Sequence, residues 1–167
     1  KGTDVYVGGV VGYNEGGGTV NNCYYLSGCA EDGYGTVQNG IGDTTEDVAD
    51  VTTAKTSAQF ASGEVAYLSN GMFGQSLDNG ETVDELPVKI TATNEVYPCI
   101  GCDGTTIAYT NDAALQDKTK PHTFTETSNG FCAECAEEGL YQPATDSDGD
   151  GYYEIDNAGK LYWFAGL

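Results

Sequence analysis

The chain has no arginine, only six lysines and a single histidine among its 167 residues. There are 26 acidic residues, which bring the formal net charge to −20. Nucleic-acid binding needs clustered Lys and Arg, and anionic membrane surfaces also attract positive charge. We therefore expect neither a nucleic acid nor a membrane as a partner. An acidic surface of this kind favours solubility and attracts divalent cations.

The motifs of common enzyme classes are also missing. A zinc peptidase of the H-E-x-x-H type needs two histidines, and the chain has only His122. No G-x-S-x-G motif accompanies that histidine, and no phosphate-binding loop or G-x-G-x-x-G motif opens a helix. Carboxylates are abundant, as glycoside hydrolysis requires, but they lie in predicted turns and linkers rather than around a cleft. We expect no catalytic activity.

No apolar run is long enough to span a membrane, and no signal peptide begins the chain. The sequence starts and stops within patterned stretches, and we expect it to be a fragment of a longer protein. Glycine and tyrosine are frequent, with 24 and 12 residues. This composition, together with the missing arginine, favours an extracellular location on a bacterial cell surface.

The first thirty residues have the pattern of two short strands around a glycine-rich turn at residues 14–18. The stretch "VGGVVGYNEGGGTVNNCYY" resembles a unit of the GLUG repeat. Such repeats occur in tandem in very large bacterial surface proteins, including the non-catalytic part of some secreted immunoglobulin-A peptidases. The resemblance implies the last unit of a β-solenoid-like stack, because one such unit cannot bury its apolar face alone.

The stretch "TSAQFASGEVAYLSNG" at residues 56–71 predicts one helix. Thr56 and Gln59 have the spacing of a capping box, and Asn70-Gly71 supplies a stop signal. A strand, a turn and a second strand follow in "FGQSLDNGETVDELPVKI". This region resembles the segment that closes GLUG arrays, which implies a cap over the open end of the stack.

The fold expected from these patterns is mainly β. A β-solenoid-like hairpin repeat end with a small helical cap would be followed by a small Cys-rich, zinc-ribbon-like module. The expected segments are the terminal repeat (1–30), the capping segment with one helix and a β-hairpin (31–96), the Cys-x-x-Cys knuckle (97–140), and an acidic loop with the start of a next module (141–167). The last segment resembles the opening of a further GLUG-type domain, which implies that "LYWFA" lies on a short helix beginning near residue 157.

Two Cys-x-x-Cys pairs suggest a structural zinc site. Cys99, Cys102, Cys132 and Cys135 have the ligand pattern of a zinc ribbon, although the 29-residue spacer between the pairs is longer than usual. The region also resembles a bacterial surface-protein pattern, H-x-F…G-x-C-x-x-C, whose histidine is His122. This resemblance makes His122 a reserve ligand. Disulfides are the competing interpretation, since an extracellular setting favours oxidation. Free thiols are a third interpretation. A thioredoxin-like redox role is disfavoured, because no βαβ pattern surrounds either pair.

The remaining two cysteines lie apart from these pairs. Cys23 occupies a position where the repeat pattern points a small residue inward, which favours a buried thiol. A local disulfide between Cys23 and Cys29 is the alternative.

The stretch "DSDGDGYYEIDN" has the first half of a calcium-binding loop, in which alternate side chains converge before a glycine. It is not a regular EF-hand, because no helix precedes it and the twelfth position holds Asn157. It resembles the calcium-binding loops of dockerins and related extracellular modules. Glu154 or Asp156 could replace the missing bidentate ligand. A solvated acidic linker is the alternative. The candidate ligands are Asp146, Asp148, Asp150, Tyr152 and Asp156.

These observations predict a non-catalytic structural or spacer module of a large extracellular or filament-forming protein. Its partners would be neighbouring modules of the same chain or like subunits. One alternative is an adhesion module that binds host glycan or protein through exposed tyrosines and Trp163. A second alternative is the non-catalytic region of a secreted peptidase.

Overall fold

A computed structural model describes most of the chain. The described residues are 6–14, 18–44, 47–48, 50–78, 83–135 and 140–166. They belong to two compact units. Unit 1 comprises residues 1–98 and 109–114, and unit 2 comprises residues 99–108 and 115–167.

The secondary structure consists of short elements. The strands are β1 (Cys23–Leu26), β2 (Thr52–Lys55), β3 (Phe73–Gly74), β4 (Val88–Lys89), β5 (Tyr97–Ile100) and β6 (Ile107–Thr110). The helices are α1 (Ser57–Ala61), α2 (Glu64–Leu68) and α3 (Ala158–Ala165), with single 3₁₀ turns at Ala113–Leu115 and Glu126–Ser128. Within the described residues, no helix is long and apolar enough to cross a membrane.

The strands form three two-stranded sheets. Strand β1 pairs with β2 in parallel, from Cys23 opposite Thr52 to Leu26 opposite Lys55. Strands β3 and β4 pair antiparallel, and β5 pairs with β6. The boundary between the two units falls within β5 and β6.

The prediction of a mainly β, solenoid-like repeat end is wrong. No strand in the described part of the chain exceeds four residues, and each sheet has two strands. In the described part of the first thirty residues the strand is β1, which pairs with β2 rather than with a hairpin partner, while Val11 forms a single bridge to Ile41. Residues 15–17 of the expected turn lie outside the described residues. Positive φ angles at Asn22 and Gly28 leave the extended conformation at both ends of β1, so the strand stays short.

The helical predictions are confirmed, with one correction. Thr56 and Gln59 form the expected capping box. The expected single helix is broken at Gly63, which has a φ of 91° and separates α1 from α2. A side chain at Gly63 would lie 2.6 Å from a methyl group of Leu77, so close packing also favours glycine there. The last helix begins after its N-cap Asn157, as expected.

The core of unit 1 is small and depends on a polar network around the half-buried Asp47. The Asp47 carboxylate accepts hydrogen bonds from the Tyr25 hydroxyl (2.6 Å), the Gly40 N–H (2.8 Å) and the Thr52 hydroxyl (2.9 Å). Burial raises the pKa of Asp47, but these hydrogen bonds outweigh burial and hold it below its usual range. Burial and the neighbouring Asp47 raise the pKa of Tyr25 to about 12. The carboxylate thus joins β1, β2 and the segment between them.

We predict that Asp47→Ala lowers the local stability of unit 1 by about 2 kcal/mol, because hydrogen bonds to a charged acceptor are lost. Hydrogen exchange at the amides of Cys23 and Ser27, which donate to Val51 and Lys55, measures this change. The matched control is Asp43→Ala at an exposed position, which should leave exchange unchanged.

The pH dependence has a definite sign. Because the pKa of Asp47 is depressed in the folded chain, its contribution is complete above the unfolded pKa of about 3.9 and is lost as pH falls through the folded value. In the Asp47→Ala variant, the stability of unit 1 should therefore fall less as the pH is lowered through this range. Unchanged amide protection in that variant at neutral pH would contradict the role assigned to Asp47.

Candidate metal centre

The first component of the site is the turn that follows β5. Cys102 lies in this turn and is buried, with 7% of its surface exposed. The Gly101 N–H donates to the Thr106 carbonyl (2.7 Å), and the Asp103 carboxylate accepts from the Thr105 and Thr106 N–H groups (2.9 and 2.8 Å). The hydrogen bonds from Thr106 and Thr105 lower the pKa of Asp103 to about 2. This network fixes the turn that carries Cys102.

The second component is a loop that brings His122 to the second cysteine pair. Asn129 and Gly130 have positive φ angles of 51° and 81°, which turn the chain before Cys132. The Ala133 N–H then donates to the Thr123 carbonyl (2.9 Å). This backbone contact places the segment after Cys132 alongside the segment after His122.

Four side chains converge within unit 2. One ligand atom from each of Cys102, His122, Cys132 and Cys135 lies within 4.8 Å of each of the others. The Sγ atoms of Cys102 and Cys132 are 3.7 Å apart, and Cys135 Sγ lies 3.5 Å from His122 Nδ1. Cys102 and Cys132 are buried, while His122 and Cys135 are partly exposed. This Cys₃His cluster can bind a metal ion and is compatible with zinc.

The two buried sulfurs differ in their surroundings. The pKa of the Cys102 thiol is raised to about 12, mainly by burial and to a lesser extent by hydrogen bonds with Cys135 and Cys132. Burial also raises the pKa of Cys132, but the backbone N–H groups of Cys135 and Glu134 and the His122 side chain outweigh it and lower the pKa to about 6. Backbone N–H groups directed at Cys132 therefore favour its thiolate, which is the form that binds metals.

The cluster differs from the first ligand set proposed from sequence by one residue. It contains Cys102, Cys132 and Cys135, with His122 as the fourth member, and does not contain Cys99. Cys99 is buried within β5, which continues to Ile100. An extended strand rises about 3.3 Å per residue, so Cys99 and Cys102 do not share one tight turn. Cys132 and Cys135 do share a turn, and their sulfurs converge.

The other predicted sites are less complete. Cys23 and Cys29 carry free thiols rather than a local disulfide. In the acidic loop, oxygens of Asp146, Asp148 and Glu154 lie within 4.8 Å of one another. The remaining calcium candidates (Asp150, Tyr152 and Asp156) are not in this group.

The carboxylates of the acidic loop already accept hydrogen bonds from the loop's own backbone. Asp146 accepts from the N–H groups of Gly149, Asp150 and Gly151, and Glu154 accepts from Ser147. These bonds stabilise the turn without an ion, and exposed acidic groups are commonly found close together without one. Calcium binding stays a prediction.

Comparisons with known proteins do not assign the chain to a family. No family model matches it, and no curated protein or solved structure is significantly similar to it. The resemblance of residues 7–25 to a GLUG unit stays a prediction.

Helix α3 supports the turn that precedes Cys132. The Gly159 N–H donates to the Asn129 carbonyl (2.9 Å), and a side chain at Gly159 would lie only 1.9 Å from the Gly130 carbonyl oxygen. On the other side of the turn, the ring of Phe131 packs against Tyr141 and Tyr162, with centroids 5.7 and 6.1 Å apart. The close approach of two glycines therefore determines where Cys132 lies.

We predict that Gly159→Ala destabilises unit 2 by several kcal/mol and weakens metal binding, because backbone atoms of Gly130 cannot accommodate the methyl group. Gly166→Ala is the matched control at the end of the same helix, where a Cβ would lie 3.5 Å from its nearest neighbour, an ordinary contact. Thermal unfolding followed through the single tryptophan, Trp163, compares the two variants. Equal melting temperatures would contradict this role for the glycine contact.

Proposed function

We propose that unit 2 is a zinc-stabilised, non-catalytic structural module, in which Cys102, His122, Cys132 and Cys135 bind one ion. The observation that carries the proposal is the spacing of the donor atoms. Zinc bonds of about 2.3 Å to sulfur and about 2.0 Å to nitrogen give tetrahedron edges of about 3.8 Å between two sulfurs and about 3.5 Å between sulfur and nitrogen. The distance of 3.7 Å between Cys102 Sγ and Cys132 Sγ and that of 3.5 Å between Cys135 Sγ and His122 Nδ1 lie close to these edges.

The number of donors favours a structural role over a catalytic one. Catalytic zinc sites have three protein ligands and leave the fourth position for water or substrate. Here four side chains each offer one donor atom, which is the number that a closed tetrahedral site needs. Three thiolates with one imidazole form a soft donor set, which favours zinc over calcium or magnesium. We therefore propose that the protein is not an enzyme.

The composition of the interior supports a stabilising role for the metal. Among the described residues of unit 2, the buried hydrophobic positions are Cys99, Cys102, Cys132 and Ala144. None of these is a large aliphatic or aromatic residue. So small an apolar interior contributes little stability, and small domains of this kind commonly rely on a metal or cross-links.

At the level of the whole protein, we propose an extracellular structural or spacer module. The acidic composition and the exposed tyrosines support a hydrated surface that contacts neighbouring modules or like subunits. An adhesion module for host glycan or protein is the alternative, because Tyr34, Tyr152 and Tyr162 are exposed and offer aromatic faces for stacking. The non-catalytic region of a secreted peptidase is a second alternative.

We predict that protein purified under reducing conditions without chelator contains about one zinc per chain. Removing zinc should increase hydrogen exchange throughout unit 2 and leave the Cys23 and Ser27 amides of unit 1 protected, because unit 1 holds none of the ligands. Elemental analysis and hydrogen exchange test the two statements. Unchanged exchange in unit 2 after complete removal of the metal would contradict a structural role.

The ligand set can be tested by comparing His122→Ala with Cys99→Ser. If His122 is a ligand, His122→Ala should weaken zinc binding by about 10²-fold or more, whereas Cys99→Ser should retain one zinc per chain. Cobalt substitution reports the donor set through its absorption, which should change in His122→Ala and not in Cys99→Ser. Cys29→Ser is the matched control, since Cys29 is exposed and lies in unit 1. The reverse result would assign the fourth position to Cys99.

A further inference from the structure

The Sγ atoms of Cys102 and Cys132 are close enough to react with each other. They are 3.7 Å apart, and a disulfide bond is about 2.05 Å long, so the sulfurs need to approach by about 1.7 Å. We infer that, when no metal is bound, Cys102 and Cys132 form a reversible disulfide at the metal's position. The zinc-bound and disulfide states then exclude each other, a consequence that rests on the proposed function.

The geometry favours this pair over a bond inside either Cys-x-x-Cys motif. Two cysteines can be bridged only where the backbone lets their sulfurs meet, and the approach of 3.7 Å joins Cys102 of one motif to Cys132 of the other. Cys135 Sγ faces His122 Nδ1 at 3.5 Å, and Cys99 lies within β5. The bond between Cys102 and Cys132 also joins the turn after β5 to the turn after Gly130, which the metal would join as well, so this link is kept in both states.

The oxidant is a small disulfide such as glutathione disulfide. One cysteine thiolate attacks a sulfur of that disulfide, which forms a mixed disulfide and releases one glutathione thiolate. The second cysteine thiolate attacks the mixed disulfide at the protein sulfur and releases the other glutathione. Two protein thiols are oxidised to one disulfide, and one glutathione disulfide is reduced to two thiols.

Access explains why the metal would control this reaction. Cys102 and Cys132 are 7% and 5% exposed, so attack on an external disulfide requires local opening of unit 2. A bound metal coordinates both sulfurs and opposes that opening. Conversely, the disulfide removes two of the four donors, and the remaining Cys135 and His122 cannot form a tetrahedral site by themselves.

The experiment treats metal-free protein with glutathione disulfide and maps the linkage after cleavage at lysine. Cleavage after Lys89 and Lys118 releases a peptide with Cys99 and Cys102, and cleavage after Lys160 ends a second peptide with Cys132 and Cys135. We expect the two peptides to be joined, and to remain joined in Cys99→Ser. The same oxidation in urea is the control for an unstructured chain, in which bonds within each motif should dominate.

Two further measurements test the exclusion of the metal. The oxidised protein should bind no zinc until dithiothreitol restores the thiols, and zinc-loaded protein should oxidise roughly tenfold or more slowly than metal-free protein. His122→Ala and Cys135→Ser should bind zinc more weakly and, when metal-free, should still form the bond between Cys102 and Cys132. A bond within one motif in native protein, or oxidised protein with a full complement of zinc, would overturn the inference. Wild-type protein that binds no zinc would refute the proposed function, whereas the linkage map would still test the disulfide.

Discussion

The convergence of three sulfurs and one imidazole is the interaction on which unit 2 depends. Its buried hydrophobic positions, as far as the structure describes them, are three cysteines and one alanine, and two of those cysteines belong to the Cys₃His cluster. The donor atoms therefore occupy the space that large apolar side chains fill in an ordinary domain. Turns, glycine contacts and aromatic pairs around the cluster serve mainly to bring the four donors together.

Unit 1 is stabilised in a different way. Its buried residues include Tyr25, Ile41 and Val65, but also polar groups such as Gln75 and Thr110. Strands of four residues or fewer leave many backbone groups outside regular sheets, and side chains compensate by hydrogen bonding to them. Asp47 is the clearest case, since one carboxylate accepts hydrogen bonds from three separate segments. Metal removal and loss of this carboxylate should therefore affect different parts of the chain.

The sequence predicted the local features best. The capping box at Thr56 and the shared turn of Cys132 and Cys135 follow from residue spacing and turn chemistry, which act over a few residues. The helix after Asn157 was implied by the resemblance to a GLUG-type segment, and the approach of Cys102 to Cys132 joins residues thirty positions apart. Sequence spacing alone cannot say whether Cys99 is still in a strand when Cys102 has entered a turn. A sequence pattern named His122 as a reserve ligand, but the hydrogen bond between Ala133 and Thr123 that brings it to the cysteines joins residues ten positions apart and is visible only in the folded chain.

The fold class was harder to predict, because the alternation of valines with glycines in the first thirty residues indicates extended segments but not their partners. The pairing found is parallel, with Cys23 opposite Thr52, and depends on the conformation of the intervening loop. That loop is held by Asp47, whose role depends on contacts with Tyr25 and Gly40 that only the folded chain creates. A solenoid of regular repeats would need equivalent contacts in every repeat, whereas the contacts of Asp47 are particular to this loop.

The sequence left open whether the cysteines bind zinc or form disulfides. The geometry of the cluster is compatible with both, as alternative states of the same site. The tetrahedral edge between two zinc-bound sulfurs is about 3.8 Å, so any site of this kind also places its sulfurs within reach of oxidation. When two of the three sulfurs in a Cys₃His site form a disulfide, the third stays a thiol. Here that third sulfur belongs to Cys135, which lies 3.5 Å from His122 Nδ1. If zinc were bound and then removed in an oxidising compartment, unit 2 need not unfold, because the inferred disulfide would join the turn after β5 to the turn after Gly130, as the metal would. The surroundings would decide which state the module adopts, while the same two segments stay joined.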